Sequence, residues 1–150
     1  MINYRHTGIY VNNLDKQTDF YMRTFNMIPV CLNNSEHNDM LDDLFKIENV
    51  EILTTKLITE LGKQKGIGDM IELIKVISFQ QELCIDNSVV YANGAMHLAI
   101  AVDDIEKTCS LATQNGGQLM TDIHIINNKN KCSFVRDPEG NWIEIIQNMR

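Results

Sequence analysis

Two histidines and two glutamates stand out for their surroundings. His6 and His97 open matching runs, His6-Thr7-Gly8-Ile9-Tyr10-Val11 and His97-Leu98-Ala99-Ile100-Ala101-Val102, both H-x-x-I-x-V. Glu72 lies inside Met70-Ile71-Glu72-Leu73-Ile74-Lys75-Val76, and Glu144 inside Trp142-Ile143-Glu144-Ile145-Ile146. A carboxylate among apolar neighbours is costly to bury unless something offsets its charge. A bound cation does so, and imidazole nitrogen with carboxylate oxygen is a donor set that cations accept. One histidine and one glutamate per run pair make a candidate N2O2 site. The other histidines lack this setting. His37 falls in the polar run Asn33 to Asp43 and His124 at a strand end, and both read as solvated.

The elements that must position these four residues come in two copies. The matching histidines are 97 − 6 = 91 residues apart, and the likeness continues from Asn12-Asn13-Leu14-Asp15-Lys16 to Asp103-Asp104-Ile105-Glu106-Lys107. Self-similarity at a fixed offset marks a repeated structural unit. In each copy an alternating strand gives way to a helix start. The first helix is expected over Leu14 to Asn26, burying Phe20, Tyr21 and Phe25, with Pro29 barring its continuation. In the second, Asp103 with Glu106 reads as a capping box. Ile105, Thr108, Cys109 and Ala112 form one helical stripe, and Asn115-Gly116-Gly117 is the stop.

Three strand-like stretches follow each helix. They are Ile28–Leu32, Leu44–Thr54 with a break, and Met70–Ile77, then Gln118–Ile125, Lys131–Arg136 and Trp142–Ile146. Asp137-Pro138-Glu139-Gly140-Asn141 is a turn, with Pro presetting φ and Gly permitting φ > 0. Each half therefore reads βαβββ. One domain over 1–150 is expected, with module 1 at about 1–77, a linker at about 78–94 and module 2 at about 95–150. Strand alternation puts His6 with Gly8 and Tyr10, and His97 with Ala99 and Ala101. The bulky Ile9, Val11, Leu98, Ile100 and Val102 point the other way. A face of small side chains leaves room for a ligand.

Composition excludes other classes. The chain of 150 residues is 44% hydrophobic and 22% charged, an ordinary globular balance. No apolar run approaches the about 18 residues a membrane span needs. A formal charge of −7 with no Lys/Arg cluster leaves no footprint for nucleic acid. The four cysteines, Cys31, Cys84, Cys109 and Cys132, lack the close spacing of a metal knuckle. With no signal segment at the first residues they read as reduced thiols of a cytoplasmic protein, Cys109 in a helix core.

The segment from Gly94 to Ile105 and the run Phe134-Val135-Arg136-Asp137-Pro138-Glu139-Gly140-Asn141-Trp142-Ile143-Glu144-Ile145 resemble the vicinal oxygen chelate superfamily, the glyoxalase and bleomycin-resistance group. Asp19-Phe20-Tyr21 followed by Phe25-Asn26-Met27 is similar to its first helix and turn. The resemblance implies an α+β fold, two βαβββ modules forming an open, cup-shaped mixed β-barrel with flanking helices. It implies a divalent metal (Ni, Zn, Co, Mn or Fe) held by His6, Glu72, His97 and Glu144, and a homodimer acting on a small molecule.

The implied reaction is that of a metal-dependent glyoxalase I-like lyase or isomerase, which moves a proton alpha to a carbonyl through an enediolate. Glu144 is then the base and Glu72 its partner. Glutamate at position 72 leans away from methylmalonyl-CoA epimerase-like racemases, where glutamine is usual, and from dioxygenases with three ligands. A metal-free, drug-sequestering resistance protein is a further alternative, consistent with the acidic charge. One departure stands out. Glutathione-dependent glyoxalases commonly carry Arg four residues after the first ligand, and here that position is Tyr10. Lys56, Lys63 or Lys65 are candidate replacements, in a stretch from Lys56 to Asp69 expected to act as a lid.

Overall fold

The computed structural model describes residues 4–66, 68–80 and 96–149. It divides into two compact units, Met1–Met22 with Asn26–Glu82, and Arg23–Phe25 with Leu83–Arg150. Most of the expected linker and Cys84 lie outside the described residues.

The first unit holds β1 (Thr7–Tyr10), α1 (Leu14–Phe25, its last turn grouped with the second unit), β2 (Ile28–Glu36), α2 (Asp39–Phe45), β3 (Ile52–Ile58), α3 (Glu60–Lys65) and β4 (Met70–Val76). Its sheet runs β1-β4-β3-β2, with β1 parallel to β4 and the other pairs antiparallel. The second unit holds β5 (His97–Ala101), α4 (Ile105–Gln114), β6 (Gln118–Leu119), β7 (His124–Ile126), β8 (Asn130–Arg136) and β9 (Trp142–Asn148). Its order is β5-β9-β8-β6, with β7 also on β8 and β5 parallel to β9. The same closure thus occurs twice: a first strand lies parallel beside the last. One backbone bond marks it in each unit, Val11 N to Ile74 O at 2.9 Å and Val102 N to Ile146 O at 2.8 Å.

The alternation anticipated from sequence holds. Ile71 and Leu73, and Ile143 and Ile145, are buried, while Glu72 and Glu144 between them face the other side. In β1 and β5 the histidine face is the more exposed one. Helix α4 packs on β8, β9 and β6 through Ile105, Thr108, Cys109 and Ala112, the stripe read from sequence. Helix α1 ends where expected, Asn26 taking the left-handed C-cap conformation at φ 53° that asparagine tolerates.

Several boundaries differ from the sequence reading. The polar run after Leu32 is not loop: β2 extends to Glu36, with register shifts along β3, and α2 follows. Asn38 caps α2 through its side chain, accepting from Leu41 N at 3.0 Å. Leu41 and Phe45, one turn apart, then pack with Val50, Ile52, Ile74, Val76 and Phe79. Apolar residues that read as the start of a strand at Leu44 are therefore the end of a helix, and the strand is shifted to Ile52–Ile58. His37 is not merely solvated, because its Nδ1 lies 3.0 Å from Val50 O. The N-cap of α4 is Asp104, which accepts from Lys107 N, rather than Asp103. The run Gln118–Ile125 splits into two short strands because Thr121 turns onto β8: Ser133 Oγ donates to Thr121 O, and Phe134 N to Thr121 Oγ1.

Candidate functional site

Parallel pairing of first and last strands brings residues far apart in sequence onto one face. The Cα partner of Glu72 is Gly8, and that of Glu144 is Ala99. Each histidine lies two residues before that small partner, on the same face. A small side chain opposite the carboxylate leaves the space into which the imidazole leans. His6 Nε2 is 3.1 Å from Glu72 Oε2, and His97 Nε2 is 3.5 Å from Glu144 Oε2. Glu72 is the better buried, at 13% side-chain exposure against 24% for Glu144. The four residues selected from sequence thus occur as two like pairs, one per unit.

What lies across the ladder differs between the pairs. Lys56 is the β3 partner of Glu72, and its Nζ is 3.0 Å from Oε1 and 3.8 Å from Glu36 Oε1. The Glu72 hydrogen bond pushes the Lys56 ammonium above its ordinary range, against the opposing effect of burial, so it stays charged. In the second unit the equivalent position, the β8 partner of Glu144, is Phe134. Its ring meets His97 edge-on at 5.4 Å and Trp142 at 6.3 Å, and the Arg136 guanidinium lies 4.3 Å over the Trp142 ring.

Sequence reasoning gave Lys56 as a candidate replacement cation at the start of a lid stretch. The strand register places it within β3, across from Glu72. Of the stretch to Asp69, residues Glu60–Lys65 form α3, capped by Thr59 through Gly62 N. The aromatic group around His97 was missed, although the alternation of Phe134 with Arg136 and of Trp142 with Glu144 carried the signal. Tyr10 shares the Glu72 face and stacks edge-on against Phe45 at 6.3 Å. Partial burial, and then the Glu72 charge, push its phenol above the ordinary range. It is a neutral donor and no substitute for a cation. His124 is exposed on β7, outside either pair.

Each pair offers one imidazole nitrogen and one carboxylate oxygen, donors that fit a borderline divalent cation. Among the described residues no group of three or more His, Cys, Asp or Glu side chains gathers to hold one. A pair alone supplies two ligands.

Comparison with known proteins agrees with this architecture. The family model described as Glyoxalase/Bleomycin resistance protein/Dioxygenase superfamily matches residues 3–145. A probable lactoylglutathione lyase of Vibrio cholerae is 30% identical, over 99% of this chain and 94% of its own length. One from Vibrio parahaemolyticus is 40% identical, over 95% and 88%. The crystal structure of a glyoxalase family protein from Bacillus cereus superposes with a TM-score of 0.87 at 16% identity, covering 100% of this chain and 96% of that one. Repeated βαβββ units, paired His and Glu on their open faces, and this match over nearly the whole length have one reading: the chain belongs to the glyoxalase/bleomycin resistance/dioxygenase superfamily.

Proposed function

We propose that the protein is a metal-dependent lyase of the glyoxalase I kind, with His6, Glu72, His97 and Glu144 as the ligands of one divalent ion. The observation that carries the reading is the duplicated pair: each unit sets an imidazole within 3.1 to 3.5 Å of a half-buried carboxylate on an open sheet face. The names of the two Vibrio relatives support the reaction class. When bound, the ion supplies a Lewis acid that stabilises negative charge developing on substrate oxygens.

The chain's own groups do the rest. Glu144 takes the proton alpha to the carbonyl and returns it to the neighbouring carbon. Across the ladder Glu144 faces a phenyl ring where Glu72 faces an ammonium. Glu72, with Lys56 Nζ 3.0 Å from its Oε1, holds position. Phe134 and Trp142 wall the side of His97 and Glu144 and keep water from the reacting carbon.

The test is metal content of untagged protein by mass spectrometry, native against His97→Ala, followed by turnover of the hemithioacetal of glutathione and a 2-oxoaldehyde. A near-stoichiometric ion lost in the variant, with turnover that depends on it, is the expected result. Protein that neither retains nor takes up a divalent ion and leaves the hemithioacetal unchanged overturns the reading. Exchange of an acyl thioester's alpha proton without hemithioacetal turnover would mark an epimerase instead.

A further inference from the structure

Helix α2 is apolar on two sides, and the core takes only one of them. Leu41 and Phe45 turn inward, onto Val50, Ile52 and Val76. Met40 and Leu44 also lie one turn apart, but each precedes an inward residue and is rotated from it by about 100°. They therefore point away from that packing, and are 69% and 63% exposed. Ile47, just past the Lys46 C-cap, is exposed as well. A single exposed apolar side chain is ordinary, whereas neighbours at i and i+4 form a stripe. Stripes of this kind on a soluble chain mark places where another surface sits.

The border of the stripe is acidic. Asp39 and Asp43 precede Met40 and Leu44 by one residue each, so they form a second row beside the apolar one. Both are exposed, and so is Glu48, next to Ile47. From position 36 to 51 the chain has six acidic residues and one basic residue, Lys46. Two of the six are occupied: Asp42 accepts from the Val50 and Asn49 amides, and Glu36 from Thr54. Lys46 pairs with Asp43 where both side chains are over three-quarters exposed, at 77% and 83%. Such a pair is worth little and yields readily to another partner.

An acidic border selects what can cover the stripe. A second copy would bring the same border, from a chain whose formal charge is −7, and anionic lipid is repelled in the same way. Size selects too. The seven residues of α2 rise about 10 Å, which matches one face of another helix and not a broad globular surface. We infer that the outer face of α2 is a docking site for a cationic amphipathic helix of a partner protein. The partner's apolar residues lie on Met40 and Leu44, and its lysines or arginines meet Asp39, Asp43 and Glu48. The unbranched, polarizable side chain of Met40 adapts to partners of differing shape. A contact this small makes a transient complex. The inference is independent of the proposed lyase reading.

The experiment is calorimetric titration of the full chain with a Leu/Lys peptide of about 18 residues, leucines at i, i+3, i+4 and i+7. Two control peptides are used: one of the same composition with leucines alternating, and one with glutamate for lysine. Met40→Gln with Leu44→Gln removes the stripe, Asp43→Asn with Glu48→Gln thins the border, and Ile125→Gln with Ile126→Gln alters exposed apolar residues elsewhere, on β7. Expected is binding of the helical Leu/Lys peptide alone. It should weaken about tenfold without the stripe and about three- to tenfold with the thinned border, and stay native in the β7 variant. Raising salt from about 0.1 to about 1 M should weaken it as well. All substituted side chains are exposed, and the control peptides test the same surface on the unaltered chain. Equal binding of all three peptides, or native affinity in the Met40 and Leu44 variant, overturns the docking site. Dimerisation or vesicle binding that needs Met40 and Leu44, with no peptide binding, gives the face to a second copy or to lipid and also overturns it.

Discussion

Lys56 stands directly across the β3–β4 ladder from Glu72, its Nζ 3.0 Å from Oε1, while His6 Nε2 approaches the other oxygen at 3.1 Å. The two oxygens of one carboxylate are thus divided between an ammonium and an imidazole. Removing the ammonium frees Oε1 and removes a positive charge that opposes a second cation. Lys56→Met is expected to bind a divalent ion about tenfold more tightly while the metal-free protein loses about 1 kcal/mol. Lys56→Arg should leave both near native. Metal titration and thermal unfolding with and without the ion check this, and unchanged affinity in Lys56→Met would refute it.

Glu144 faces Phe134 where Glu72 faces Lys56. In Glu144→Gln the side chain keeps its shape and loses its basicity. Turnover should drop by about 10²- to 10⁴-fold with the unfolding temperature little altered. The ion should also be held more weakly. Steady-state kinetics at saturating metal separates the two losses. A variant with native kcat would remove Glu144 from the proton transfer.

Ile145 is fully buried on the reverse of the strand that presents Glu144. Ile145→Ala is expected to destabilise the second unit by about 2–4 kcal/mol through lost burial and the cavity left behind. Urea unfolding followed by Trp142 fluorescence reads this directly, because Trp142 is the chain's single tryptophan and lies on β9.

Asp42 ties α2 to the chain entering β3, accepting from Val50 N at 2.8 Å and Asn49 N at 3.0 Å. Those bonds, to Val50 first, hold its carboxyl below the ordinary range. A folded pKa below the unfolded one contributes stability above the unfolded value, and that contribution is lost as pH falls through the folded one. Acidification below about pH 4 should therefore loosen this corner selectively. Asp42→Asn should show a smaller acid-induced drop in unfolding temperature than the native chain. Equal pH dependence in both would exclude Asp42 as the cause.

The paired histidines and glutamates were legible because alternation in β4 and β9 forces Glu72 and Glu144 away from Ile71, Leu73, Ile143 and Ile145, and because the pattern occurs twice. The Asp137 turn was legible for a similar local reason: one buried carboxylate accepts from Glu139 N and Asn141 N, both at 2.9 Å. Helix α2 was not legible. Its apolar residues Leu41, Leu44 and Phe45 fit a short helix or a strand start equally well, and only packing of Leu41 and Phe45 against Val50, Ile52 and Val76 decides between them. The pairing of Lys56 with Glu72 was hidden for a related reason. It depends on β3 lying over Ile52–Ile58, in register with β4.

Parallel closure also sets an order of events. The β3–β4 hairpin joins residues close in the chain, whereas β1 must return across more than sixty residues to lie beside β4. Local pairings form before distant ones, since the shorter loop costs less entropy to close. Glu72 is consequently ordered beside Lys56 before His6 arrives, and the ammonium balances its charge during that interval. In the second unit the local β8–β9 hairpin likewise orders Glu144, beside Phe134, before His97 arrives.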